Sequence, residues 1–392
     1  MAKSILERIT KKGGKKKKQV IYGVYDNSKD DFMTRANDFL IDHSRISIKD
    51  KSYFFHMIAV MVDAGIPAVS AIRAFAGRTK NQRFSRVLQT VSYNSERGMS
   101  LSDSMSRFGD TFDEVEIGVI KSGEAVGRLG SMLFRLSDQV GRAHELRMKL
   151  WGAAFYPLAV LATLLIVAVG MLVWVFPTLM TMLTEGGVAF GDLPLSTRIL
   201  LYAQTALVDY WWAMILFVAI LYGTFRIYVG TPKGKEWWDY LKLRLPIIGP
   251  LLRSVYVLQF VSLVGVLIEA GLPVIQALEI TTNSIPNSIF RLKLRDVIES
   301  VRKGEKISDN LSDTPFLFPS EVVEMIRVGE KSAALGEVSS KVSAQYQMEI
   351  NHTLKRLTSV FEPLMILVVG LFVGMLALAV MAPIFNLTSV IS

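Results

Sequence analysis

The sequence predicts an all-α membrane protein. Two duplicated cytoplasmic helical bundles are joined to three transmembrane helices, and three observations predict this. The first is an internal repeat with a constant offset of 206 residues, the distance from Ala64 to Ala270. Ala64-Gly65-Ile66-Pro67 falls on Ala270-Gly271-Leu272-Pro273, Gly98 on Gly304, Ser102-Asp103 on Ser308-Asp309, and Gly123-Glu124 on Gly329-Glu330. Leu129-Gly130, Pro157 and Pro177 then meet Leu335-Gly336, Pro363 and Pro383. A register held through loops as well as apolar runs is the mark of a duplicated unit. The second observation is charge-free sequence, from Leu150 to Thr184 and from Pro363 to Ser392. The third is the placement of Lys and Arg. Only Arg198 lies between the first two apolar runs, and no basic residue follows Ala382. The positive-inside rule then puts the N-terminus and both bundles in the cytoplasm and the C-terminus outside.

Residues 1–45 read as a basic, largely disordered segment. Within residues 1–18, eight basic residues stand against Glu7 alone, a net +7 of the chain's +9. Blocks of like charge rarely fold. Facing the cytoplasm, Lys15, Lys16, Lys17 and Lys18 are candidates for anionic lipid or an acidic partner. Nucleic acid is not expected, because no aromatic platform accompanies the charge.

Residues 46–152 form the first bundle. The apolar stretch Tyr53 to Ala64 ends at Gly65, suited to a left-handed helix cap, and Pro67 suits the first turn of the next helix. A helix through about 81–97 stops at Gly98, and Ser100 with Asp103 resembles a capping box. An acidic segment (Asp110, Asp113, Glu114, Glu116) precedes Gly123-Glu124. A long polar helix, roughly 127–150, leads to the membrane. Residues 230–358 repeat the plan with Gly271, Pro273, Gly304, the acidic positions Glu321 and Glu324, and Gly329-Glu330. Lys306 replaces Ser100, so that cap weakens or moves to Ser308. Gly123 and Gly329 are expected where helices approach closely, since a helix-interior glycine needs a packing reason.

Transmembrane helices are expected near 158–180, 207–227 and 364–386. The first two lie in residues 153–229 and the third in residues 359–392. The apolar stretch 254–268 is read as buried in the bundle, because its repeat partner 48–62 carries Lys49, Asp50, Lys51 and His56. The middle span has no repeat partner. It returns the chain to the side where the second bundle must lie.

Catalytic chemistry is not legible. There is no cysteine, which excludes disulfides and thiolates. Gly230-Thr-Pro-Lys-Gly-Lys235 departs from a phosphate loop at Glu236. His43, His56, His144 and His352 lack ligand spacing, so neither metal nor cofactor is expected. Glu124 and Glu330 read as helix caps or ion pairs inside the bundle, with a direct partner contact as the alternative.

The pattern AG-x-P, then G-x-x-(I/L)-S-D, then GE-x-x-x-L-G, twice and each time before a span, resembles the F-domain family. These are the platform proteins of type II secretion and type IV pilus machines. The resemblance covers about 50–390. It implies an inner-membrane platform without enzymatic activity. Its implied partners are a cytoplasmic hexameric assembly ATPase, pilin or pseudopilin subunits and other inner-membrane assembly proteins, and we expect it to be a homodimer in the bilayer. The lysine-rich start departs from secretion members, which often carry a small folded segment there, and this tilts the reading toward the pilus branch. A secretion pseudopilus platform remains the alternative. A transporter or channel subunit is the rival of another class, disfavoured because the first and third spans hold almost no polar groups.

Overall fold

The computed structural model describes residues 21–22, 32–185, 195–246 and 248–391, all helix or connection with no strand among them. Lys15 to Lys18, and the basic block they belong to, lie outside the described residues. The chain divides into two compact units, one of residues 1–145 and 256–345 and one of residues 146–255 and 346–392. Most of each bundle thus falls in the first unit, with residues 146–152, 230–255 and 346–358 in the other.

In the first unit the first bundle comprises α1 (Phe32–Asp42), α2 (Ile48–Asp63), α3 (Ala68–Arg78), α4 (Gln82–Glu96), α5 (Leu101–Ser106), α6 (Glu114–Val126) and the start of α7 (Leu129–Gly170). The second bundle has the same order. It uses α12 (Ile248–Glu269), α13 (Val274–Ser284), α14 (Ser288–Arg302), α15 (Ile307–Ser312), α16 (Ser320–Lys331) and α17 (Leu335–Ile391). The first residues of α13 to α17 are those of α3 to α7 displaced by the repeat offset, in all five cases.

Local sequence sets these boundaries. Gly65 and Gly271 take φ of 84° and 91°. Ile66 N–H and Leu272 N–H then reach back to the carbonyls of Met61 and Leu267, closing α2 and α12. Pro67 and Pro273 stand one residue ahead of the next helix, in extended conformation, rather than inside its first turn. Asn81 and Asn287 cap α4 and α14 by accepting from Phe84 N–H and Phe290 N–H. Each core is built on phenylalanines at repeat positions. Phe54, Phe84 and Phe112 recur as Phe260, Phe290 and Phe318, all at most 1% exposed. Their ring centroids are 5.3–6.3 Å apart in the first bundle and 5.4 Å in the second, the spacing of edge-on and tilted aromatic pairs.

The segment expected to be largely disordered up to residue 45 contains the folded helix α1. Arg86 on α4 pairs with Asp38 and with Asp42 (3.1 Å), and Tyr22 O–H donates to Asp42 at 2.5 Å. Its two carboxylates, one turn apart, meet a guanidinium 44 residues away, which no local pattern in a charged stretch reveals.

The second unit holds the rest of α7, a π-helical turn (Met171–Val175), α8 (Phe176–Glu185), α9 (Leu195–Asp209), α10 (Trp211–Gly230), α11 (Pro232–Arg244), the start of α12 and the rest of α17. Among the described residues, four helices are long and apolar enough to cross a membrane. The apolar windows of α7, α10 and α17 are 0%, 0% and 11% buried, whereas that of α12 is 44% buried. Phe260, Val261, Val264 and Leu267 of α12 are among the core residues, so this helix spends its apolar face on the bundle, as its charged repeat partner suggests. α10 has 20 residues, about 30 Å, matching a hydrocarbon core. The polar helices before the first and third spans are not separate elements. α7 and α17 each run unbroken into apolar sequence, through Pro157 and Pro363.

Candidate functional site

The repeated motif resolves into one cap used twice. A short helix such as α5 leaves its first backbone N–H groups without partners inside the helix. Glu124, on α6, supplies them: Leu101 N–H donates to Oε1 at 2.6 Å and Ser102 N–H to Oε2 at 3.0 Å, with Ser102 Oγ donating to Oε2 at 2.6 Å. Glu330 does the same for α15, accepting from Ile307 N–H at 2.6 Å and Ser308 N–H at 3.1 Å. A carboxylate at a helix N-terminus also gains from the helix dipole. Ser100 adds a second cap by accepting from Asp103 N–H, and Lys306 adds none, so the weakened cap is carried by Glu330 rather than Ser308. The Ser308 hydroxyl is buried without a hydrogen-bond partner.

The glycine before each glutamate explains why the pair occurs together. A methyl on Gly123 would lie 3.1 Å from Met132 Cβ, and one on Gly329 would lie 3.1 Å from Leu335 Cα and 3.2 Å from Val338 Cβ. α6 and α16 therefore press against the helices that follow, which holds Glu124 and Glu330 over α5 and α15. Gly98 and Gly304, at φ 91°, end the preceding helices.

The acidic segments are less open than their charge suggests. Glu116 is only 2% exposed, pairs with Lys51 at 2.7 Å and closes a reciprocal capping box with Asp113. Burial, reinforced by the charge of Asp113, pushes its carboxyl up to about 7 against the pull of Lys51. The acidic positions Asp113, Glu114, Glu116, Glu321 and Glu324 read on sequence grounds as a possible docking surface for a partner; Glu116 is instead interior, because the capping box and Lys51 of α2 hold it inside the bundle. Asp110 pairs with Arg83, and Glu324 with Arg327. Glu321 is exposed.

Glu114 belongs to a contact that the sequence did not foretell. Within the first unit, α6 and α7 of bundle one pack on α12 and α13 of bundle two. Asn283 donates to Glu114 at 3.1 Å, Ser262 to Gln139 at 2.6 Å, Ser122 to the Ala270 carbonyl, and Arg135 pairs with Glu269. Gly118 makes the approach possible, since a methyl there would meet Ile280, Leu267 and Leu272 at 3.2–3.6 Å.

The duplicated fold matches one family model, Type II secretion system (T2SS), protein F, at residues 54–177 and again at 260–383. Both limits of the second match are those of the first displaced by the repeat offset. The chain belongs to this family. Among its relatives, the Type IV pilus assembly protein PilC of Thermus thermophilus is 31% identical over 345 residues, 88% of this chain and 84% of that protein. PilC of Myxococcus xanthus is 28% identical over 343 residues, covering 88% and 81%. The Type II secretion system protein F of Pseudomonas aeruginosa is 28% identical over 348 residues, covering 88% and 84%.

Proposed function

We propose that this chain is the non-enzymatic inner-membrane platform of a type IV pilus machine, coupling a cytoplasmic hexameric ATPase to the assembly of pilin subunits. The observation that carries the mechanism is the continuity of α7 and α17. Each bundle is extended by an uninterrupted helix, of 42 and 57 residues, into apolar sequence. A push or rotation applied to either bundle is thereby passed along a stiff rod, with no nucleotide site needed in this chain. Relatives named as pilus assembly proteins support the pilus branch. The folded helix α1 removes the contrast in the N-terminal segment that had favoured it on sequence grounds. A type II secretion platform is the second reading, favoured by the similarity to protein F.

The bundles and the N-terminus face the cytoplasm in this reading, following the basic residues. The basic N-terminal lysines rest on anionic lipid, and the platform works as a homodimer. The ATPase docks on the exposed carboxylates of the acidic segments, Glu321 foremost. The full chain, solubilised from membranes, should copurify with the hexameric ATPase, and Glu321→Lys should lower the recovery. Solute flux through liposomes carrying the chain, without ATPase association, would contradict the platform and favour a transporter.

A further inference from the structure

The contact between the two bundles is head-to-tail. It joins α6 and α7 of bundle one to α12 and α13 of bundle two. A two-fold relation would also join α16 and α17 of bundle two to α2 and α3 of bundle one. It does not: Val328, the repeat partner of Ser122, is 53% exposed, and Ile66, the partner of Leu272, is 41% exposed. A duplicated chain joined in this way leaves one half of the same contact unused at each end.

The unused halves are chemically matched. Arg135 with Glu269 becomes Lys341 with Asp63, again a cation opposite a carboxylate. Asp63 is exposed, and Lys341 meets only Glu337, one turn along its own helix with both side chains about two-thirds exposed. Gly118 against Ile280, Leu267 and Leu272 becomes Glu324 against Ala74, Met61 and Ile66, where the change from isoleucine to alanine opens space for the larger glutamate and the other two neighbours stay apolar and of similar size. Exposed Arg78, one turn on from Ala74, supplies a cation beside Glu324. Ser122 against the Ala270 carbonyl becomes Val328 against Ala64, and Leu272 becomes Ile66, so that Val328 and Ile66 are two apolar side chains now open to water. Gln139 recurs as Gln345, and its partner Ser262 as His56. Asn283 with Glu114 has no counterpart pair, the equivalent positions being Gly77 and Ser320, and no pair brings like charges together.

We propose that a second copy of this chain docks by repeating the internal contact: the α16–α17 face of one copy's second bundle meets the α2–α3 face of the next copy's first bundle. The contact is heterologous, so a dimer formed by it still carries one open face of each kind. Further copies add in the same sense until a ring closes or a row ends. The inference rests on the self-association in the functional reading and specifies the surface that makes it.

The natural absence of cysteine makes the test direct. Asp63→Cys and Lys341→Cys chains carrying different tags are coexpressed and treated in membranes with a short bis-maleimide. The expected product is a crosslink between the two tags, with none when either variant is expressed alone. Asp63→Lys should lower association several-fold, and Lys341→Asp in the partner should restore it, with thermal melting unchanged in both. Self-crosslinking of either single variant would show a two-fold interface and overturn the proposal. Dimers of the wild-type chain by native mass, with no crosslink between tags, would also overturn it while leaving self-association standing. Monomers alone by native mass would sink both.

Discussion

In the first bundle Glu116 is buried and pairs with the partly buried Lys51 at 2.7 Å, with Glu116 also accepting from the Asp113 N–H at 3.0 Å. In the second bundle the same three positions hold Val257, Val322 and Pro319, and both valines are at most 1% exposed. Proline has no N–H, so the position that needed a carboxylate no longer needs one. Three coordinated replacements thus turn a charged, hydrogen-bonded corner into an apolar one while the starts of α13 to α17 stay in register with those of α3 to α7. Buried ion pairs can be exchanged for packed apolar groups at little cost, whereas loss of one partner strands a charge. The fold is therefore held by what recurs: the glutamate caps, the glycines beneath them and the phenylalanine triad.

The largest effect should come from breaking that corner one-sidedly. Lys51→Ala should destabilise the chain by about 3 kcal/mol at pH 8, read by thermal unfolding in nanodiscs. Transplanting the second bundle's solution, Lys51→Val with Asp113→Pro and Glu116→Val, should stay within about 1 kcal/mol of wild type. A loss for the triple variant as large as for Lys51→Ala would mean that the pair is needed for more than packing.

The pair also carries a pH dependence that the second bundle lacks. Glu116 is raised from 4.5 to about 7, mainly by burial. The folded state then keeps a proton that the unfolded chain releases, so its contribution to stability is full below about 4.5 and is lost as the pH rises through about 7. Amide exchange should show the first bundle loosening across that window, and Glu116→Val should remove the trend.

Removing either recurring cap should cost a smaller and similar amount. Glu124→Ala and Glu330→Ala should each destabilise by about 2 kcal/mol, with Glu124→Ala the larger because Ser102 Oγ also loses its acceptor. Unchanged melting with lost ATPase recovery would instead make these residues partner contacts.

The smallest difference lies at the end of α6 and α16. Gly127 ends α6 at φ 70°, and its counterpart Ala333 is held at φ 52°, with Arg128 and Ala334 N–H groups bonding back to Gly123 and Gly329. A left-handed alanine costs about 1 kcal/mol. Ala333→Gly should stabilise by about that amount, and Gly127→Ala should destabilise to match. Equal melting of all three chains would contradict the reading.

Much of this was legible because a duplication tests itself. The offset located the glycine stops, the glutamates and the buried status of α12, since only a soluble counterpart explains Lys49 to Lys51. The phenylalanine triad was present in the same register and could have been found with it. What stayed hidden depends on contacts between distant segments. The α1 clasp, the burial of Glu116 and the contact between bundles each join residues far apart, and an acidic run looks the same whether it faces water or folds under a neighbour. The π-helical turn and α9 left no sign in an apolar stretch, where periodicity is uninformative.

The account stands or falls on fibre assembly. Pili should be counted by electron microscopy in cells lacking this chain and in the same cells with the full chain restored. The platform reading predicts no fibres in the first and normal numbers in the second, with the cytoplasmic ATPase still able to hydrolyse ATP in both. Fibres at the normal level in cells without the chain would contradict it.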